Sequence, residues 1–549
     1  MPTTINFKPG LDLPRGRPVA SVTSLGINPT FTNFAYDMRG RNYAHPIAFT
    51  PAGTTTLLGY NATNDAFFVQ TSQTLLGAGT YSPSVPSAHV LAPSQGPSGT
   101  LTTGNTTTKV VISTALPASV RANQLANRGD GQGYIIRIIG NSAGGSGKIE
   151  ERRIVGNTSG TTPTIQLSEA LSFTPASGDR YEILSGRLYM LASQSTAAGS
   201  WRFYDLATDS VSSNLSNTNQ PTLTGTLGIT HQMIALDEAY VPYNRNPGEG
   251  FLVGAATYDV SSVNWSKGCL TATATAAGSI TGQASSGDAS VLANEYRNFQ
   301  IRIVEDTGTP TAVGQRRRIT SHTAGASAVY TLASNWTVTP SSTAKFVIEN
   351  DTDKIILWAS SVTTTYNWNI TAGTWDTTTW AARVSAHVAA QAHQAFSIVP
   401  DGDKNARHSY IYSVNANAGS STYNIFDIAG GATGTVTAIS LPTVTPLFQG
   451  GSTISGAQVP WTQEGRYFYI MLQGGATGQF GVIHRFDMKT QQYERYCTEA
   501  LPGGGTSLTG IGNGSFASYY LDGSTYVSSV FMLQSRQSNG QLCQYPILS

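Results

Sequence analysis

Short apolar runs, each closed by Gly, Pro, Ser or Asn, succeed one another along the chain. Gly186 to Ala192 (GRLYMLA), Asp353 to Ala359 (DKIILWA) and Gly465 to Leu472 (GRYFYIML) are apolar at adjacent positions. That pattern predicts strands buried on both faces. Segments such as Asn141 to Gly147 (NSAGGSG) separate the runs and read as turns. Each strand meets a turn within a few residues, which predicts an all-β chain.

An internal repeat organises part of this pattern. Ile136-Arg137-Ile138 recurs as Ile301-Arg302-Ile303, and Arg152-Arg153-Ile154 as Arg317-Arg318-Ile319. Thr174-Pro175 recurs as Thr339-Pro340, and Tyr181-Glu182-Ile183 as Phe346-Val347-Ile348, all at an offset of 165. Leu125-Ala126-Asn127 matches Leu292-Ala293-Asn294 at an offset two residues longer. The unit spans 122–184 and 289–350. In the first copy, strands are expected at Gly133 to Ile139, Glu150 to Val155, Thr164 to Leu167 and Arg180 to Leu184. Each copy reads as a small antiparallel β domain.

A second repeat surrounds these units. An aromatic residue followed by Asp ends a strand and begins a turn at Tyr204-Asp205, Tyr258-Asp259, Phe426-Asp427 and Phe486-Asp487. Spacing places a further instance near Asn369-Ile370, and earlier ones near Tyr81 or at Tyr36-Asp37. A period near 55 with short strands is the pattern of a propeller blade, which stacks on neighbours to bury both faces. Phe486-Asp487, Thr490 and Tyr493 resemble the kelch repeat, and Tyr204-Asp205 with Thr208 resembles it in part. The resemblance implies an all-β, six- or seven-bladed kelch-like β-propeller with two homologous inserted small antiparallel β domains. Both ends of the chain are expected to close the last blade. The inserts are expected just before the first inner strand of their blades, leaving the ring on one side. The expected division is 1–121 for the N-terminal segment and first blades, 122–184 for the first insert, and 185–288 for further blades. Then come 289–350 for the second insert and 351–549 for the remaining blades and ring closure.

Composition narrows the function. Charged residues are 11 % of the 549, with 32 basic against 31 acidic and a net charge of +1. That balance argues against a protein that holds nucleic acid by neutralising phosphates. No apolar stretch is long enough for a transmembrane helix, and the first residues (MPTTINFKPG) do not read as a signal peptide. Cys269, Cys497 and Cys543 match no metal spacing and read as buried thiols made in a reducing cytoplasm. Sequons such as Asn61, Asn157 and Asn335 follow from richness in Thr and Ser.

Candidate chemistry is sparse. His387 and His393 lie six apart, a poor spacing for metal ligands, and no nucleophile elbow or phosphate loop occurs. Asp237-Glu238 and Glu464 are the carboxylates a glycosidase reading would need, and nothing marks them. No catalytic, cofactor or metal site is expected, and the chain is not read as an enzyme. The runs Arg152-Arg153 and Arg316-Arg317-Arg318 could touch DNA or an acidic headgroup, but pairing with nearby acids such as Glu150 and Glu151 explains them more simply. Arg128-Gly129-Asp130 reads as a turn. Trp375 and Trp380 could stack on sugars, though packing between blades is the simpler reading.

Low charge, abundant Thr, Ser, Gly and Asn, and duplicated β inserts resemble tailed-bacteriophage virion proteins. Within them the architecture is similar to the short-tail nozzle (hub) family. That resemblance implies a hexameric homo-oligomeric ring around the DNA-ejection channel, below the portal and adaptor. It implies contacts with adaptor, fibres and a needle or plug, genomic DNA as passing cargo, contact with the host surface, and no cofactor. The location implied is the virion tail, after assembly in the host cytoplasm. The alternative is a receptor-binding or decorating virion protein whose propeller contacts carbohydrate. A kelch-type propeller enzyme is the third reading.

Overall fold

A computed structural model describes paired strands between residues 17 and 546, and side chains chiefly over 57–77, 96–221, 270–283, 300–349 and 355–376. Among the described residues the only helical turns are two three-residue 3-10 segments, Gln124–Ala126 and Pro310–Ala312. The strands form six four-stranded antiparallel sheets and one sheet of 14 strands.

The six small sheets begin with Ala35–Tyr36, Ser87–Ala92, Gln232–Leu236, Gln394–Pro400, Ile454–Gln458 and Gly514–Asp522. Each of these first strands touches the next, and the last touches the first. The arrangement is closed and propeller-like. Arg17–Ser21 pairs with Asn539–Pro546, so both ends of the chain build the sixth sheet, as expected.

Alternation explains the stacking. In Arg187–Ala192, Leu188 and Met190 pack with Leu57, Leu75 and Leu206. Tyr189 and Leu191 pack on the opposite side with Ile355, Leu357 and Trp368. Successive side chains of one strand therefore serve two neighbouring sheets. The aromatic-Asp signal marks third strands: Trp201–Asp205, Ser420–Asp427 and Val482–Asp487 end with it. Leu57–Asn61 and Thr365–Asn369 end with aromatic-Asn. The reason is a turn cap. The backbone N–H of Thr208 donates to Asp205 Oδ1 at 3.2 Å, and that of Ala372 donates to Asn369 Oδ1 at 2.9 Å.

Two expectations need correction. The inserts do not precede the first inner strand. They lie between first and second strands, Ser87–Ala92 to Arg187–Ala192 and Gln232–Leu236 to Lys354–Trp358. Runs such as GRLYMLA are second strands, because the insert separates each from the strand it pairs with. The inserted sheet is also wider than the repeat. It takes in Ser98–Thr100, Lys109–Val111 and four strands between Leu252 and Gln283. Shared sequence marks only what the copies have in common, and these flanking strands differ between them. Tyr258-Asp259 and Tyr81 lie outside the described residues, and the strands on either side of Tyr258 belong to the inserted sheet.

The repeat itself is structural. Ile135–Gly140, Lys148–Asn157, Thr164–Leu167 and Arg180–Leu184 form the first copy. Gln300–Glu305, Arg316–His322, Val329–Leu332 and Lys345–Glu349 form the second. One match shifts: the counterpart of Asn294 is Asn123, not Asn127. Both have a left-handed backbone, φ 63° and 60°. Each exchanges backbone hydrogen bonds with an equivalent residue, His322 or Asn157, whose N–H donates to the Asn side chain.

Candidate functional site

The two copies join edge to edge, with Lys148 paired to Glu305. The N–H of Asp306 donates to the Gly147 carbonyl at 2.8 Å, and Asn141 Nδ2 donates to the Val313 carbonyl at 3.2 Å. Gly147 has φ +67°, and a Cβ there would sit 2.5 Å from the Asp306 carbonyl oxygen. Only glycine permits that approach. Ser262–Asn264, from the stretch before the second copy, also pairs with Lys148–Asn157 of the first.

A cavity of about 460 Å³ opens beside this seam. Six arginines and one glutamate line it, together with Gly96, Ser98, Gly314 and Gln315. Its charge follows from a difference between the copies. In the first, Arg137 stands directly across from Glu151 on one neighbouring strand and Glu182 on the other. Its Nε donates to Glu151 at 2.8 Å and its Nη1 to Glu182 at 3.2 Å. The offset of 165 carries these three residues onto Arg302, Arg316 and Val347. Arg302 therefore stands across from Arg316 and Val347. A buried cation flanked by two acids in one copy is flanked by a cation and an apolar residue in the other. Arg302 is 4 % exposed, and its carboxylate contact is borrowed from the first copy, Glu182 at 4.0 Å.

Burial alone would raise the pKa of Glu182. The guanidinium groups of Arg302, Arg137, Arg180 and Arg316 outweigh it and hold the carboxyl below its ordinary value. Arg187 is engaged by Asp205 at 3.2 Å and lies over the Phe203 ring. Arg317 donates to the Asn335 carbonyl and to Thr337, and lies over Trp336. With Glu151 and Asp205 counted beside Glu182, six positive charges face three negative ones.

The arginine runs divide. Arg152 is buried, binds Glu150 at 2.7 Å and donates to the Ala170 carbonyl, so it is structural, and Glu150 pairs it as expected. Glu151 serves Arg137 instead. Arg316 reaches the cavity. Sequence reasoning did not single out Arg137, Arg180, Glu182 or Arg302 as a site. The available signal was an arginine at the centre of two equivalent apolar strands. Trp375 is 2 % exposed and packs against Trp201 and Trp368, so it cannot stack on a sugar. Trp380, Arg128-Gly129-Asp130, Cys269, His387, His393, Asp237-Glu238 and Glu464 lie outside the described residues. Among the described residues no group of three His, Cys, Asp or Glu could hold a metal, and no helix is long and apolar enough to cross a membrane.

No protein-family profile matches the chain, and no curated protein does. Among solved structures, phage phi92 endosialidase is similar over 95 % of this chain and 67 % of its own, with 8 % identity and a TM-score of 0.28. A mutant NanB sialidase from Streptococcus pneumoniae is similar over 98 % of this chain and 71 % of its own, with 9 % identity and a TM-score of 0.31. A GH74 enzyme from Niastella koreensis is similar over 98 % and 99 %, with 10 % identity and a TM-score of 0.19. With scores this low, the fold description rests on the strand pairing.

Proposed function

We propose that this chain is a tailed-phage virion protein that serves in attachment, with a six-bladed, kelch-like propeller carrying one recognition module made from both inserted copies. The arginine-lined cavity beside their seam carries this reading. It joins residues of both copies with residues flanking the first insert, and its volume lies within the usual range of a ligand pocket. A composition poor in charge and rich in Thr, Ser and Gly supports the virion assignment. The function proposed is binding without turnover.

The nozzle reading is second. A net charge of +1 favours it, since a weakly charged wall would let DNA pass. It asks, however, for two equivalent projections that contact neighbouring subunits. Here the copies spend an edge on each other and differ in charge at equivalent positions.

Fab fragments raised against the inserted sheet test the choice. Attachment predicts blocked adsorption of particles to host cells, with label at the tail periphery. Normal adsorption with label in one ring at a single vertex would establish the nozzle instead. Particles without label would overturn both.

A further inference from the structure

We propose that the cavity between the copies is a binding site for an acidic sugar, a saccharide unit carrying a carboxylate or phosphate group. The inference rests on the recognition reading and names its ligand.

The argument begins with Arg302 and Arg316. Like charges directly opposed across two strands destabilise a sheet unless something lies between them. The first copy shows the neutral solution at the same place, Arg137 with Glu151. The second copy has arginine where that glutamate stands, and its apolar Val347 replaces Glu182. Such a change suits a site that takes its counter-charge from outside. Guanidinium groups present paired donors to carboxylate or phosphate, which is the recognition they are shaped for.

Glu182 narrows the class. Its side chain is 24 % exposed, lines the cavity, and stays ionised among four arginines. A carboxylate only accepts hydrogen bonds, so the ligand must bring donors as well as negative charge. Ser98 and Gln315 add polar groups, and Gly96 and Gly314 leave backbone uncovered. Sugar hydroxyls with one anionic group supply both needs. A nucleic acid would call for aromatic platforms, and none of the described lining residues is aromatic.

Titration calorimetry on the full chain tests this with D-glucuronate, glucose 6-phosphate, glucose, inorganic phosphate and an oligothymidylate. The two acidic sugars are expected to bind, their ratio showing which anionic group fits. Glucose should not bind, and inorganic phosphate should bind more weakly than either acidic sugar. Arg316→Glu restores in the second copy the pair found in the first. It should keep the chain folded, raise its melting temperature, and weaken acidic-sugar binding by about tenfold or more. Arg302→Gln should weaken binding similarly. Glu182→Gln should narrow the preference for acidic sugar over phosphate.

Failure of both acidic sugars to bind would overturn the inference. So would unchanged affinity in a folded Arg316→Glu chain, or tighter binding of oligothymidylate than of either sugar. The recognition reading fails separately: acidic sugars would still bind the chain, while anti-insert Fab would leave adsorption intact.

Discussion

Arg137 and Arg302 occupy one position in two copies of a unit and meet opposite surroundings. This sets different expectations for substitution. Arg137→Ala would leave Glu151, 1 % exposed, without its ion pair. The expected cost is about 3–5 kcal/mol in urea denaturation. Arg316→Ala removes a like-charge opposition and should cost nothing measurable or stabilise slightly. Glu182 adds a pH dependence. Its folded pKa lies below the ordinary 4.5. The stability it contributes is therefore fully present above that ordinary value and is lost as pH falls through the folded one. The stability gap between the native chain and Glu182→Gln should close on acidification below about pH 4. Trp201, fully buried against Trp368 and Trp375, holds the second and third small sheets together. Trp201→Ala should cost about 3–5 kcal/mol.

Among elements, the seam between the copies depends on Gly147. Gly147→Ala would strain a positive φ and press a methyl group on the Asp306 carbonyl. Hydrogen exchange should then rise at Asp306 and Lys148 while the first-copy core around Ile138 and Ile165 stays protected. Much at this scale was legible in the sequence. Thr164–Leu167, Arg180–Leu184, Trp201–Asp205 and Val482–Asp487 have the bounds their apolar runs predict. The aromatic-Asp signal worked because a side-chain cap fixes the turn after a third strand. First strands such as Gln232–Leu236 were hidden, because more than a hundred residues separate it from its partner Lys354–Trp358. The site was hidden for a related reason. Arg137, Arg180, Glu182, Arg302 and Arg316 converge only through strand pairing and the docking of two copies. No sequence spacing announces that convergence.

The whole molecule is a closed ring of small sheets carrying one wide sheet on two adjacent hairpins. Closure depends on Arg17–Ser21, the outer strand of the sixth sheet. Removing residues through Ser21 would expose the edge of Asn539–Pro546 and should lower the melting temperature and promote association through that edge. The hairpins also make the wide sheet a unit held at two points, since Ala92 pairs with Arg187 and Leu236 with Lys354. The central claim is that this unit attaches the particle through its arginine-lined cavity. The most direct test is competition: purified full-length chain and its Arg316→Glu variant, each added to the source phage during adsorption to its host. The account predicts that the native chain blocks adsorption and the folded variant does not. Equal blocking by both, or blocking by neither, would contradict it.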